Sequence, residues 1–240
     1  MRALIVVSFC VLLSSCLNSN DVRMSSEHAQ FVNNVGVISL LDAHANIHYA
    51  AQEPKDIIDR QAVIAGWEIN RVVADHLVER MRKKGFTTRA LYIDRADLNP
   101  YDNSWAKANT SSLHERLYEI GANAGVDMLV VVYRNRVNEF ITKGREKVRG
   151  YGVFKTHRIE PHLYAAVYVE AIEINKRYVL GKAVGQKAQK LAGDSWQLGF
   201  KPGKEALRLP FTSMDSEAME LQELIKLASL LAAQEAGLSN

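Results

Sequence analysis

The stretch Val126-Asp127-Met128-Leu129-Val130-Val131-Val132 is apolar at every position but one. A strand with one face in water alternates apolar and polar residues. A run this continuous belongs to a strand covered on both faces, as in a parallel sheet flanked by helices. Just upstream the period changes. Ser112 and Glu115 stand at capping-box spacing, and Leu113, Leu117, Ile120 and Ala124 recur every three to four residues, so a helix is expected, stopped by Gly125. Farther back, Ile69, Val73, Leu77 and Met81 make one stripe of a helix over 67–84, with Gly85 as its stop. Residues 35–41 and 86–93 read as strands on either side of it. Strand, helix, strand, helix, strand implies two crossovers, expected to be right-handed.

Downstream of Val132 the helices cease. Residues 148–156, 163–174 and 178–190 are strand-like, and Asn175-Lys176-Arg177 between the last two suggests a hairpin. Residues 213–236 close the chain as a helix whose apolar face includes Met219, Leu221, Leu224, Ile225, Leu227, Leu230 and Leu231. Residues 42–65 are polar and read as a loop with room for one short strand. The predicted class is α/β: one domain of two or three layers, its mixed sheet made of βαβαβ, then antiparallel strands and a C-terminal helix.

The start of the chain is of another kind. Met1-Arg2 is a short basic opening, residues 3–13 are apolar apart from Ser8, and Leu13-Ser14-Ser15-Cys16 follows. This order reads as an export signal, too short for a membrane span. Leu-Ser-Ser-Cys resembles the lipobox of bacterial lipoproteins. The resemblance implies cleavage before Cys16, acylation of its sulfur by diacylglycerol (palmitate among the chains), and, with Leu17 in place of an aspartate, an outer-membrane anchor facing the periplasm. The expected organisation is a signal at 1–15, a lipidated cysteine with a flexible tether at 16–30, and a periplasmic domain at 31–240. Met24 as the true start is the rival reading. The two cysteines are Cys10 and Cys16, so the mature chain would have no free thiol and no disulfide, and must rest on its core.

Charge is uneven. Residues 134–190 hold 13 lysines and arginines against 5 aspartates and glutamates, within a chain of formal charge +3. A basic middle third attracts anionic partners; an exported compartment disfavours nucleic acid. Lys143, Arg145, Lys147 and Arg149 alternate, so they share one face if extended. They read either as a charged edge strand guarding against aggregation or as a surface for an anionic partner. Trp196, Phe200 and Phe211 punctuate a long loop, where aromatics anchor a partner or fold back as a lid.

Chemistry-bearing residues collect in one predicted place, the carboxyl ends of the parallel strands, where open α/β sheets bind ligands. Asp42, His44 and His48 follow the first strand, Asp94, Asp97, Tyr101 and Trp105 the second, and Arg134 the third. Imidazoles with carboxylates are donors for borderline metals. Yet no His-Glu-x-x-His, no G-x-S-x-G elbow and no phosphate loop is present, and Gly150-Tyr151-Gly152 lacks the spacing and the following helix. No catalytic residue, metal or cofactor is therefore assigned.

The order of 35–41, the Trp67 helix, 126–132 and Gly150-Tyr151-Gly152-Val153-Phe154 is similar to that of proteobacterial envelope lipoproteins of unassigned function. It resembles in particular the amino-terminal domain of the TolB type and small lipoproteins that activate wall synthases. The resemblance implies fold and compartment. The expectation is a membrane-anchored protein, not an enzyme, whose domain binds an envelope protein or an anionic wall or lipid surface. The alternatives are a metal-dependent hydrolase using the His/Asp rim and an auxiliary subunit of an envelope transporter or secretion system.

Overall fold

The computed structural model describes residues 21–50, 57–64, 66–93, 98, 110–144, 146–191, 214 and 217–239. In chain order they form α1 (Ser26–Phe31), β1 (Asn34–Leu40), β2 (His44–Ala50), β3 (Ile57–Val63), α2 (Ile69–Lys83), β4 (Thr87–Ala90) and α3 (Thr110–Asn123). Then come β5 (Met128–Arg134), β6 (Arg136–Asn138), β7 (Lys147–Arg149), β8 (Tyr151–Thr156), β9 (His162–Glu173), β10 (Tyr178–Lys190) and α4 (Ala218–Glu235). The class is α/β, with a mixed sheet and a C-terminal helix.

The run that decided the fold is β5, and its neighbours explain its composition. Met128, Val130 and Val132 face Ile69, Val73, Leu77 and Met81 of α2 and Leu221, Leu224 and Ile225 of α4. Leu129, Val131 and Tyr133 face Leu113, Leu117 and Tyr118 of α3. Helices on both sides make three layers, and each β5 side chain from 128 to 133 is at most 3% exposed. β1 lies parallel to both β4 and β5, so the first three predicted strands run together as expected.

The sheet has an unusual plan. β10 pairs antiparallel with β9 along its whole length. On the other edge of β9, β5 occupies residues 173 to 167 and β8 occupies 165 to 162, both antiparallel. β5 and β8 are therefore one line of strand, interrupted. β1 beside β5 and β2 beside β8 form a second interrupted line. β4 flanks β1, and β3 flanks β2 antiparallel.

Several expectations are corrected. The 42–65 stretch holds a full hairpin, β2–β3, so His44 and His48 stand on a strand and not in a loop. Ala45 and Ile47 enter the core while His44, Asn46 and His48 take the other face. The predicted strand 148–156 is two strands, broken at Gly150, whose φ of +60° turns the chain. Ser112 lies inside the first turn of α3, which starts at Thr110. Met219 and Leu227 are 79% and 48% exposed. Where α4 crosses β10, small residues let the backbones meet: a Cβ at Gly185 would overlap the Ala228 carbonyl oxygen. Finally, the expected tether is docked from Asp21 onward. Val22 and Lys182 exchange backbone hydrogen bonds of 2.8 and 2.7 Å, and Met24 is buried with its N–H on the Ala236 carbonyl.

Candidate functional site

The interruption of the two strand lines is polar, and its polar groups are bridged. β1 ends at Leu40 and Asp42 sits in the gap; β5 ends at Arg134 across from it. The Arg134 guanidinium pairs with the Asp42 carboxylate, their side chains 15% and 12% exposed. Burial, with repulsion from Arg149, lowers the Arg134 pKa to about 10. The Tyr151 hydroxyl donates to the Asp42 carbonyl, and Trp67 meets the Tyr151 ring edge-on at 5.3 Å. Asn70 of α2 grips the end of β1: its Oδ1 accepts from the Leu41 N–H at 2.7 Å and the Ser39 hydroxyl at 2.8 Å, and its Nδ2 donates to the Leu41 carbonyl.

Between Arg134 and Tyr151 the chain leaves the sheet as the β6–β7 hairpin. Departure and return are joined, because the Gly150 N–H donates to the Asn135 carbonyl at 2.7 Å. Both ends also bond to Ala166 of β9, the residue between the β5 and β8 registers. Asn46 of β2 donates to the carbonyls of Arg149 and Tyr151, fastening the return. Beneath the hairpin, Val148, Phe154 and Tyr164 form a small core of their own, flanked by Val137, Phe140 and Ile141. At its tip Glu139 is 2% exposed and accepts from the N–H groups of Ile141, Thr142 and Gly144 and from the Thr142 hydroxyl. Burial works to raise the Glu139 pKa, but these donors outweigh it and hold the carboxyl below its ordinary range.

The paired strands of the hairpin, β6 and β7, carry charge of one sign. Arg136 stands directly opposite Arg149, and Asn138 opposite Lys147, with Arg136, Lys147 and Arg149 all exposed. Like charges directly opposite in a strand pair destabilise it. Among the described residues, none of Arg136, Lys147 and Arg149 is paired with a carboxylate. A cleft lies on either side. One, of about 1000 Å³, runs between the hairpin and β10 and is lined by Asp21, Arg136, Lys143, Lys147, Tyr168 and Lys182 among others. The other, of about 520 Å³, includes His48, Asp59, Arg60, Arg136, Lys147 and Arg149. His48 is 4% exposed; its ring stacks on Phe154 at 5.3 Å and its Nδ1 lies 2.8 Å from Asp59. Its Nε2 has no hydrogen-bond partner among the described residues.

Of the predicted rim, the structure brings Asp42 and Arg134 together. His44 is exposed at the start of β2, and His48 lies four residues along that strand, engaged with Asp59. Asp94, Asp97, Tyr101 and Trp105 lie outside the described residues. No group of three His, Cys, Asp or Glu among the described residues is placed to hold a metal ion. The carboxyl ends of β1 and β4 do border a cleft of about 590 Å³, lined by Ser39, Trp67, Asn70, Leu91 and Tyr92 among others. Ser39 and Asn70 there are spent on each other. Of the predicted basic face, Lys147 and Arg149 share one side of β7. Lys143 is apart, in the turn at φ +57°. Arg145, Trp196, Phe200, Phe211 and Cys16 lie outside the described residues. Arg136 and Lys182 escaped the sequence reading; an Arg-x-Arg at 134–136, just past an apolar strand, was the available signal for the first.

No family model matches the chain, and a search of the curated proteins finds no match. Solved structures similar to it include hypothetical protein CT253 from Chlamydia trachomatis, 12% identical, covering 86% of this chain and 98% of that one at a TM-score of 0.37. The LpoB C-terminal domain from Salmonella enterica is 10% identical over 66% of this chain and 83% of that one, at 0.26. Lipoprotein GNA1162 from Neisseria meningitidis is 7% identical over 68% and 89%, at 0.31. These are likenesses of chain trace too loose to carry function.

Proposed function

We propose that this chain is an outer-membrane lipoprotein, anchored through Cys16 and facing the periplasm, whose α/β domain binds an anionic envelope component and performs no turnover. The observation that carries the binding half is the β6–β7 hairpin, with Arg136 set against Arg149 and Lys147 beside them, none neutralised by a carboxylate among the described residues. An anion between the two arginines would relieve their repulsion, so the hairpin is stabilised by what it binds. The ordered sequence Met1-Arg2, apolar run, Leu13-Ser14-Ser15-Cys16 supports the anchoring half. Several acyl chains make such an anchor stable where one is marginal.

Both halves are testable. Labelled palmitate should enter the wild-type protein and not Cys16→Ser, which should move from the membrane fraction to the soluble one. The Cys16→Ser protein should still co-sediment with envelope fragments at low salt. Arg136→Glu with Arg149→Glu should abolish that association. Co-sedimentation that survives the double charge reversal refutes the hairpin as the binding surface.

A further inference from the structure

We infer that the cleft between β10 and the β6–β7 hairpin seats phospholipid head groups of the membrane that carries the anchor, so that the domain lies with its β10 edge against the bilayer. This rests on acylation of Cys16. The chain is fixed at that edge, because Val22 exchanges backbone hydrogen bonds with Lys182 of β10 and Met24 is buried against Ala236. Asp21 lines the cleft itself. Five residue steps separate Cys16 from Asp21, and five steps span at most about 18 Å. The Cα of the acylated residue is thus held within that reach of Asp21 at the cleft, whatever path residues 17–20 take.

What the leash brings to the membrane is the positive side of the molecule. Arg136, Lys143, Lys147 and Lys182 line the cleft from three separate segments, against two carboxylates, Asp21 and Glu139. Glu139 is turned inward, its oxygens taken by the N–H groups of its own turn. Tyr168, at the cleft, is an amphipathic ring of the kind that suits a membrane–water interface. Lysine and arginine are the side chains that recognise phosphate, and polybasic segments held at a membrane surface are drawn to anionic lipid. A short leash makes the encounter intramolecular, at a high effective concentration of head groups. A wall polymer or an acidic protein has no such positional advantage.

The test uses the full acylated protein. Cys16 is acylated and Cys10 is removed with the signal, so a single new cysteine can be labelled with an environment-sensitive dye. Ala188→Cys places it on β10, exposed beside the cleft; Arg89→Cys places it on β4, exposed on the opposite edge. Four strand spacings, about 19 Å, separate the two lines. Reconstituted in phosphatidylethanolamine–phosphatidylglycerol vesicles carrying a head-group spin label, the dye at 188 should be quenched several-fold more than the dye at 89. Lys143→Gln, Lys147→Gln and Lys182→Gln together should erase the difference, as should high salt, while Lys83→Gln, an exposed lysine away from the cleft, should not. Lys182→Gln alone should reduce it, which keeps the test valid should the triple variant fold poorly.

Equal quenching at 188 and 89 overturns the inference, as does a difference untouched by the lysine changes. A separate arm isolates the anchor. Cys16→Ser protein should co-sediment with the same vesicles and lose this in the triple variant, whether or not mass spectrometry finds lipid on native Cys16. Charge-dependent binding to isolated wall fragments but not to vesicles overturns the head-group assignment and leaves the proposed function standing.

Discussion

Removing one member of the Asp42–Arg134 pair should cost far more than removing both. Asp42→Asn leaves the Arg134 guanidinium 85% covered, its Nε already without a partner among the described residues. Breaking a buried pair in this way costs about 3–5 kcal/mol. The lower end applies here, because the two side chains keep 15% and 12% of their surface exposed, so about 3 kcal/mol is expected. For a chain of this size that is a melting shift of about 6–12 °C. Arg134→Met should cost a similar amount, since it strands the carboxylate. The double variant Asp42→Asn/Arg134→Met should return to within about 1 kcal/mol of wild type, because the apolar methionine asks for no partner. Urea unfolding of the Cys16→Ser protein measures all four corners, followed by far-UV circular dichroism and by intrinsic tryptophan fluorescence, to which Trp67 against Tyr151 contributes. A single variant costing under about 1 kcal/mol, or a double variant as poor as the sum of the singles, refutes the view that this pair bridges the interrupted strands.

Other outcomes follow from the same geometry. Gly185→Ala should destabilise by about 3 kcal/mol, the upper end of overpacking, because its Cβ would meet the α4 backbone, which cannot rotate away; urea midpoints check it. The hydrogen bond from His114 to Glu170, 3.0 Å long, raises the His114 pKa above 6.5. Its contribution is therefore complete below about pH 6.5 and lost as pH rises through the elevated value. Glu170→Gln should flatten stability measured across that window. Excising residues 136–149 and joining Asn135 to Gly150 should leave the sheet folded at a loss of a few kcal/mol, from uncovering Phe154 and Tyr164, while removing the envelope association proposed for the hairpin. Circular dichroism and co-sedimentation on the one variant decide both points.

Much of this fold is written locally. The doubly covered run at 126–132 announces helices on both faces, and the stripe of α2 is legible from Ile69 to Met81. The β9–β10 hairpin is bounded by its polar link. What escaped is non-local or faint. The β2 strand alternates, but one of its core residues is the small Ala45, and its other face carries His44, Asn46 and His48, so the pattern resembles a polar loop. That β5 and β8 share one line depends on the register of β9 far along the chain. The pairing of Asp42 with Arg134 depends on it too, because it brings together residues 92 apart. The basic group was legible as composition, but its geometry was not. Gly150 splits the expected strand, and the opposing partner of Arg149 is Arg136, on the near side of a turn.

The closure of Asn135 on Gly150 has a wider meaning. An appendage joined to a scaffold through two touching residues can change length and lettering without asking the scaffold to refold, provided whatever replaces it still brings greasy side chains to roof over Phe154 and Tyr164. Selection can then revise the surface this appendage shows separately from what keeps the sheet upright. Kin of this chain should differ most in the interval 136–149 and least in the pair of residues that opens and shuts it.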